Sequence, residues 1–207
     1  LVDLTGVFDG RSSRRIRLAT NLEIYWDSFF WAEALEGTQA RTSGVRMASA
    51  DLRYRGFSQV TGLDRSLPEI PVYDSLASAG PIWRDLIGFY TRFGDVTELL
   101  DLIDDRYMIM NAGDELGMKF EALPPPQDGW RRDFVLVGDG WVKDGDYNTT
   151  YSKTVTPLPE HGTGDYTAPL IGLQDNPAYQ AHPEDWSTYH TRYVSTDNYV
   201  NALRAVD

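Results

Sequence analysis

The chain of 207 residues contains no cysteine. That excludes a disulfide framework, a thiolate zinc site and a cysteine nucleophile together. Long apolar runs are missing as well: uncharged stretches such as Met108 to Gly113 fall far short of the roughly 20 residues that cross a bilayer. Basic charge is scarce, with 19 Lys and Arg against 31 Asp and Glu and a formal net charge of −12. Such a chain repels phosphate backbones and anionic lipid at long range, which argues against nucleic acid as a partner. The one basic cluster, Arg11, Arg14, Arg15 and Arg17, sits beside a turn and reads as a solvated strand end. Also absent are a His-Glu-x-x-His helix, a Gly-x-Ser-x-Gly elbow and a glycine-rich phosphate loop. The three histidines, His161, His182 and His190, have no metal-ligand spacing.

What is present points to strands. Length and an ordinary 42% hydrophobic content allow one domain with its own core. Alternation at Ile16 and Leu18, then Leu22, Ile24 and Trp26, predicts strands over Arg14 to Trp31, and a second alternating stretch covers Arg46 to Phe57. Pro68, Pro71 and Pro81 predict a long surface connection from Pro68 to Ile82. Asp95 followed by Glu98 has capping-box spacing and predicts a helix over 95–103. Arg106–Asn111 and Leu116–Leu123 read as a hairpin joined by the turn Ala112-Gly113-Asp114-Glu115 and stopped by the prolines at 124–126, and Arg132–Val137 as a further strand. Proline and glycine then break up the last fifty residues, with short helices expected near Pro183–Trp186 and Thr196–Ala205. The expected architecture is a mainly β, jelly-roll-like sandwich over residues 1–156, followed by an irregular wrapping tail over 157–207. The chain opens on Leu1 and not on Met, which reads as a processed product or a fragment.

Two groups of residues are candidates for a site. Asp144-Gly145-Asp146-Tyr147-Asn148 sets oxygen donors at alternate positions, and Asp139 lies five residues earlier. Asp139, Asp144, Asp146 and Asn148 could therefore converge on calcium. A full calcium loop wants Gly sixth and Glu twelfth, where this chain has Thr149 and Val155, and a polar hairpin turn accounts for the same residues. The second group is aromatic: Tyr25, Trp26, Phe29, Phe30 and Trp31 place five rings in seven residues. Core packing explains part of this. Alternate residues of a strand face opposite sides, however, so some ring surface should meet a tail, a partner or a stacking ligand.

Several strings carry a resemblance: Asn21–Asp27, Asp104–Glu115, Arg132–Asp146, Glu184-Asp185-Trp186 and Tyr189–Tyr193. Together they make the chain similar to the C-terminal region of large bacterial exported proteins of the ASPIC/UnbV type, which carry FG-GAP propeller repeats and often tetratricopeptide repeats upstream. Neither repeat occurs here. The resemblance implies a periplasmic or extracellular, non-catalytic module and supplies no catalytic residues. The functional expectation is an accessory or scaffolding subunit without cofactor that docks onto a larger assembly. One such host is the periplasmic face of a membrane-bound electron-transfer or photosynthetic complex. A carbohydrate-binding jelly roll, stacking sugars on the aromatic group, is the alternative.

Overall fold

The computed structural model describes residues 4, 6–8, 10, 15–19, 29–31, 40–62, 69–143, 151, 153–158, 161 and 171–204. The chain divides into two units, Leu1–Ala40 and Arg41–Asp207. The boundary expected at 156/157 falls within the second. Among the described residues regular structure is mainly strand: β1 (Met47–Tyr54), β2 (Phe57–Thr61), β3 (Ile70–Ser78), β4 (Gly88–Tyr90), β5 (Gly94–Asp95), β6 (Asp114–Phe120) and β7 (Arg192–Val194). Three short helices follow late in the chain: α1 (Pro177–Ala181), α2 (Asp185–Thr188) and α3 (Asp197–Arg204). The strands form a three-stranded sheet in the order β5-β1-β6 and two ribbons, β2-β3 and β4-β7, with no closed barrel among them.

β1 organises the core. Its alternation turns Ala50 and Leu52 inward and Asp51 and Arg53 outward, as the period-two pattern requires. Opposite Phe120 and Lys119 of β6, β1 spends two steps where β6 spends one, between Met47 and Ser49. This bulge changes the parity of the strand, so Met47 packs against the core that the even-numbered residues fill. Val96 and Leu99 close over Ala50 and Leu52, and the Val96 amide donates to the Ala50 carbonyl at 3.0 Å. Burying Leu52 completely is worth about 1.5–3 kcal/mol.

The helix expected over 95–103 shortens to one 3-10 turn, Thr97–Leu100. The N-cap is Val96 and not Asp95, which stands one residue earlier and accepts from the Thr97 amide at 2.9 Å and its hydroxyl at 2.6 Å. Glu98 does not fold back to complete the box. Its carboxylate is held by Arg106 at 2.9 Å and by the Tyr189 hydroxyl at 2.6 Å, and the turn ends there.

Four further expectations are corrected. Residues 15–19 and 29–31 carry no strand, and the rest of the Arg14–Trp31 segment lies outside the described residues. Pro68–Ile82 is not a plain connection, because β3 runs through it with Pro71 opposite Val60. Among the described residues β3 has a single neighbour, and an edge position tolerates a missing amide hydrogen. The hairpin joining 106–111 to β6 does not form either. β6 pairs with β1 instead, and 106–111 is held by single bonds such as Thr91 N–H to the Ile109 carbonyl at 3.0 Å. Finally, 131–143 finds no ladder, and Phe134, Val135, Leu136, Val137 and Val142 stand exposed. Alternation and β-branching fit a strand only where a partner strand supplies the hydrogen bonds.

The C-terminal stretch is more regular than its proline content suggests. β7 pairs antiparallel with β4, setting the rings of Tyr193 and Phe89 edge to face at 5.2 Å. α1 starts on Pro177 behind Asn176, whose side-chain oxygen accepts from the Tyr179 amide, an N-cap preceding a proline that needs no donor. α2 and α3 lie where the two short helices are expected.

Candidate functional site

The strings at 104–115 and 184–193, about eighty residues apart, meet in one polar knot. The Arg106 guanidinium grips Asp185 of α2 through two bonds, Nε at 2.9 Å and Nη2 at 2.7 Å, and its Nη1 reaches Glu98. Asp185 is buried and Arg106 nearly so. The paired geometry strengthens the contact, and the two carboxylates keep the guanidinium firmly protonated. On the adjoining side Arg192 of β7 reaches Asp114 at 2.5 Å and the Thr91 carbonyl at 2.9 Å. Its guanidinium also lies over the Phe93 ring at 4.3 Å, a cation–π contact.

His190 sits within the knot, buried, with the Trp186 ring edge-on at 4.4 Å. The Thr91 hydroxyl accepts from the Ile109 amide at 2.7 Å and lies 3.2 Å from His190 Nδ1. The hydroxyl and Nδ1 are thus each other's hydrogen-bond partners, whereas the buried Nε2 has none among the described residues. Burial pushes the His190 pKa down to about 4, so the ring is neutral near neutral pH. A hydroxyl beside an imidazole has the form of a nucleophile and its base, but Thr91 is wholly buried and no substrate can reach it.

His161 is the opposite case. Its Nδ1 lies 2.5 Å from Asp105 and its Nε2 2.7 Å from Asp139. A neutral imidazole carries one N–H, so both contacts are satisfied only by imidazolium. Hydrogen bonds to Asp139 and then Asp105 raise its pKa accordingly. Nearby, Lys143 Nζ donates to the carbonyls of Val155 and Pro157 at 2.8 and 2.9 Å, and desolvation lowers its pKa to about 8.

Of these groups Arg106, Asp139, Lys143 and His161 stand along a cleft of about 1570 Å³ within the second unit, and Asp185, His190 and Arg192 are not part of its lining. Its lining is largely apolar and includes Met47, Met108, Met110 and Met118, all four methionines of the chain. Leu102, Ile103 and the unpaired stretch 136–143 form other parts of the wall.

Of the candidate calcium ligands, Asp139 is engaged by His161, whereas Asp144, Asp146 and Asn148 lie outside the described residues. No group of three His, Cys, Asp or Glu able to hold a metal ion occurs among the described residues. Of the aromatic group, Tyr25 and Trp26 lie outside the described residues. Phe29, Phe30 and Trp31 of the first unit are 63%, 90% and 78% exposed. Sequence reasoning missed the knot, because Asp104-Asp105 and Asp114-Glu115 have the form of solvated turns. The convergence of the methionines was equally invisible, since they belong to three separate segments. No protein-family model, curated protein or solved structure matches the chain.

Proposed function

We propose that the chain is a non-catalytic accessory module that docks onto a larger protein assembly outside the cytoplasm. One observation carries this reading. Among the described residues only seven hydrophobic side chains are buried, Ala50, Leu52, Tyr90, Val96, Leu99, Val155 and Ala178, while 31 large ones are exposed. Scattered exposed apolar residues are ordinary, but runs such as Phe30-Trp31 and Phe134–Val137 favour a reading in which another molecule covers them. The resemblance to exported ASPIC/UnbV-type proteins and the absence of cysteine support a periplasmic or extracellular setting, with the exposed face of a membrane complex as one host. The finer fold belongs to the same proposal: a jelly-roll-like sandwich in which the β1 sheet forms one layer. No helix of the described residues is long and apolar enough to cross a membrane, so attachment to a membrane complex runs through a protein partner in this reading.

The test is gentle extraction of the native chain followed by size exclusion and identification of what co-elutes. A defined assembly with fixed stoichiometry is expected, lost on Phe30→Ser with Trp31→Ser. A monomer that retrieves nothing and unfolds cooperatively by itself would overturn the reading. Retention on glycans by that monomer would favour the carbohydrate-binding alternative.

A further inference from the structure

We infer that the methionine-lined cleft is the docking groove for a basic amphipathic helix of a partner protein, an inference that rests on the docking function proposed above. The first ground is the lining. Methionine is unbranched, flexible and polarisable, and it adapts to varied apolar shapes, which suits a surface built to receive side chains from another molecule. Met110 and Met118 are exposed, while Met47 and Met108 rest on the core cluster. The groove therefore has a floor packed on the core and an upper lining open to solvent.

Size is the second ground. At about 1570 Å³ the cleft exceeds the roughly 300–1,000 Å³ of ordinary small-molecule pockets. A helix about 10 Å across filling that volume is about 20 Å long, or about 13 residues. Such a helix presents apolar side chains at three- and four-residue spacing to a groove.

Charge decides the occupant. Cations along the wall are already engaged: Arg46 by Glu121, Arg106 by Asp185 and Glu98, Lys143 by two carbonyls and His161 by Asp105 and Asp139, and Arg84, which also lines the cleft, is not free either. Asp85 and Asp101 also line the cleft and make no hydrogen bond or ion pair among the described residues. With a net charge of −12, two copies of the chain repel one another and an anionic amphiphile is disfavoured. A cationic helix is attracted both at long range and at the rim.

The experiment uses the full chain labelled with 13C at the methionine methyls. Its four signals all report on the cleft. A synthetic Leu/Lys helix of about 13 residues is expected to shift all four, with affinity that falls as salt rises. Its Leu/Glu counterpart and decanoate are expected to shift none. Asp101→Lys alters an exposed side chain that has no hydrogen bond or ion pair among the described residues, should leave the unbound methyl spectrum unchanged, and should weaken the Leu/Lys helix roughly tenfold at low salt. Unmoved methyl signals overturn the inference, as do equal shifts with Leu/Glu or decanoate, or an undiminished affinity of Asp101→Lys. Failure here is distinct from failure of the docking function. A native assembly that forms normally with Asp101→Lys and Met110→Glu removes the groove and leaves docking intact, whereas peptide binding by a chain that co-elutes with nothing retains the groove alone.

Discussion

Removing Asp185 tests how much of the second unit depends on the polar knot. Asp185 has 2% of its side chain exposed and Arg106 14%, and two bonds of 2.9 and 2.7 Å join them. Deleting one partner of a buried pair costs about 3–5 kcal/mol, chiefly because the other charge is left desolvated and unmatched. Here Arg106 keeps Glu98, but that carboxylate is 62% exposed, and an exposed partner contributes no more than about 1 kcal/mol. Asp185→Ala should therefore lie at the lower end, about 3 kcal/mol. With a urea m-value of about 2 kcal/mol/M, the midpoint should fall by about 1.5 M.

The control is Glu98→Gln, for which the same argument gives less than about 1 kcal/mol. A second control replaces both partners with apolar residues, Arg106→Met with Asp185→Leu. That variant should recover most of the loss, because a buried ion pair and a well-packed apolar pair are often near equal. It also supplies the readout if Asp185→Ala alone abolishes the unfolding transition. The reasoning fails if Asp185→Ala shifts the midpoint by less than about 0.3 M at unchanged m, or if the double variant is no more stable than the single one.

The two histidines should give opposite pH dependences. His190 has its folded pKa depressed to about 4 against about 6.5 unfolded, so the unfolded chain binds the extra proton between those values. The stability it contributes is present above about pH 6.5 and lost as pH falls toward 4, a loss of order 3 kcal/mol that His190→Gln should flatten in urea midpoints measured against pH. His161 has its folded pKa raised, so its contribution is present below about pH 6.5 and lost as pH rises through the folded value. An NMR titration should place its midpoint above that of free histidine, and Asp139→Asn should lower it. At Gly56, with φ of +99°, an added Cβ would lie 2.4 Å from the Ser78 carbonyl oxygen. Gly56→Ala should therefore cost at least about 2 kcal/mol by chemical denaturation and open the β2–β3 ribbon, seen as faster amide exchange in β3. Phe30→Ser and Trp31→Ser change exposed rings and should alter stability by less than about 0.5 kcal/mol while reducing recovery of the assembly.

The parts of the fold legible in the sequence are those fixed by neighbours in the chain. β1 follows from alternation around Ala50 and Leu52, and α3 from the spacing of Tyr199, Val200 and Leu203 behind Thr196. The parts that were not legible depend on distant residues. Glu98 carries a capping-box signal, but Tyr189 and Arg106 engage it more strongly than its own backbone does, and the helix stops after one turn. Pro71 argues against a strand until β3 proves to have one neighbour. Residues 132–137 have every local property of a strand and no described partner to pair with. Within the candidate site, the sequence around Asp139 has the form of an ion-binding turn, whereas its partner in the structure, His161, is 22 residues away.

The polar knot and the exposed apolar surface answer different physical requirements. Ion pairs such as Arg106–Asp185 and Arg192–Asp114 contribute little net stability over an apolar alternative, but every mispairing leaves a buried charge unmatched. They therefore fix which segment lies beside which: 104–114 against α2 and β7. Stability has to come from apolar burial, and among the described residues of the unit Arg41–Asp207 the buried cluster is the small one of Ala50, Leu52, Val96 and Leu99. A chain arranged in this way reaches a defined pairing of segments before it has buried enough surface to hold that pairing firmly. Covering Leu102, Ile103 and Phe134–Val137 with a partner would supply the missing burial, and a ligand that binds only the folded state raises stability with the logarithm of its concentration. The melting temperature should accordingly rise with partner concentration and stay constant when the chain is titrated with a non-binding protein of equal charge. A melting temperature already at its ceiling in the isolated chain would mean that the small core suffices and that the exposed apolar runs have no thermodynamic need of cover.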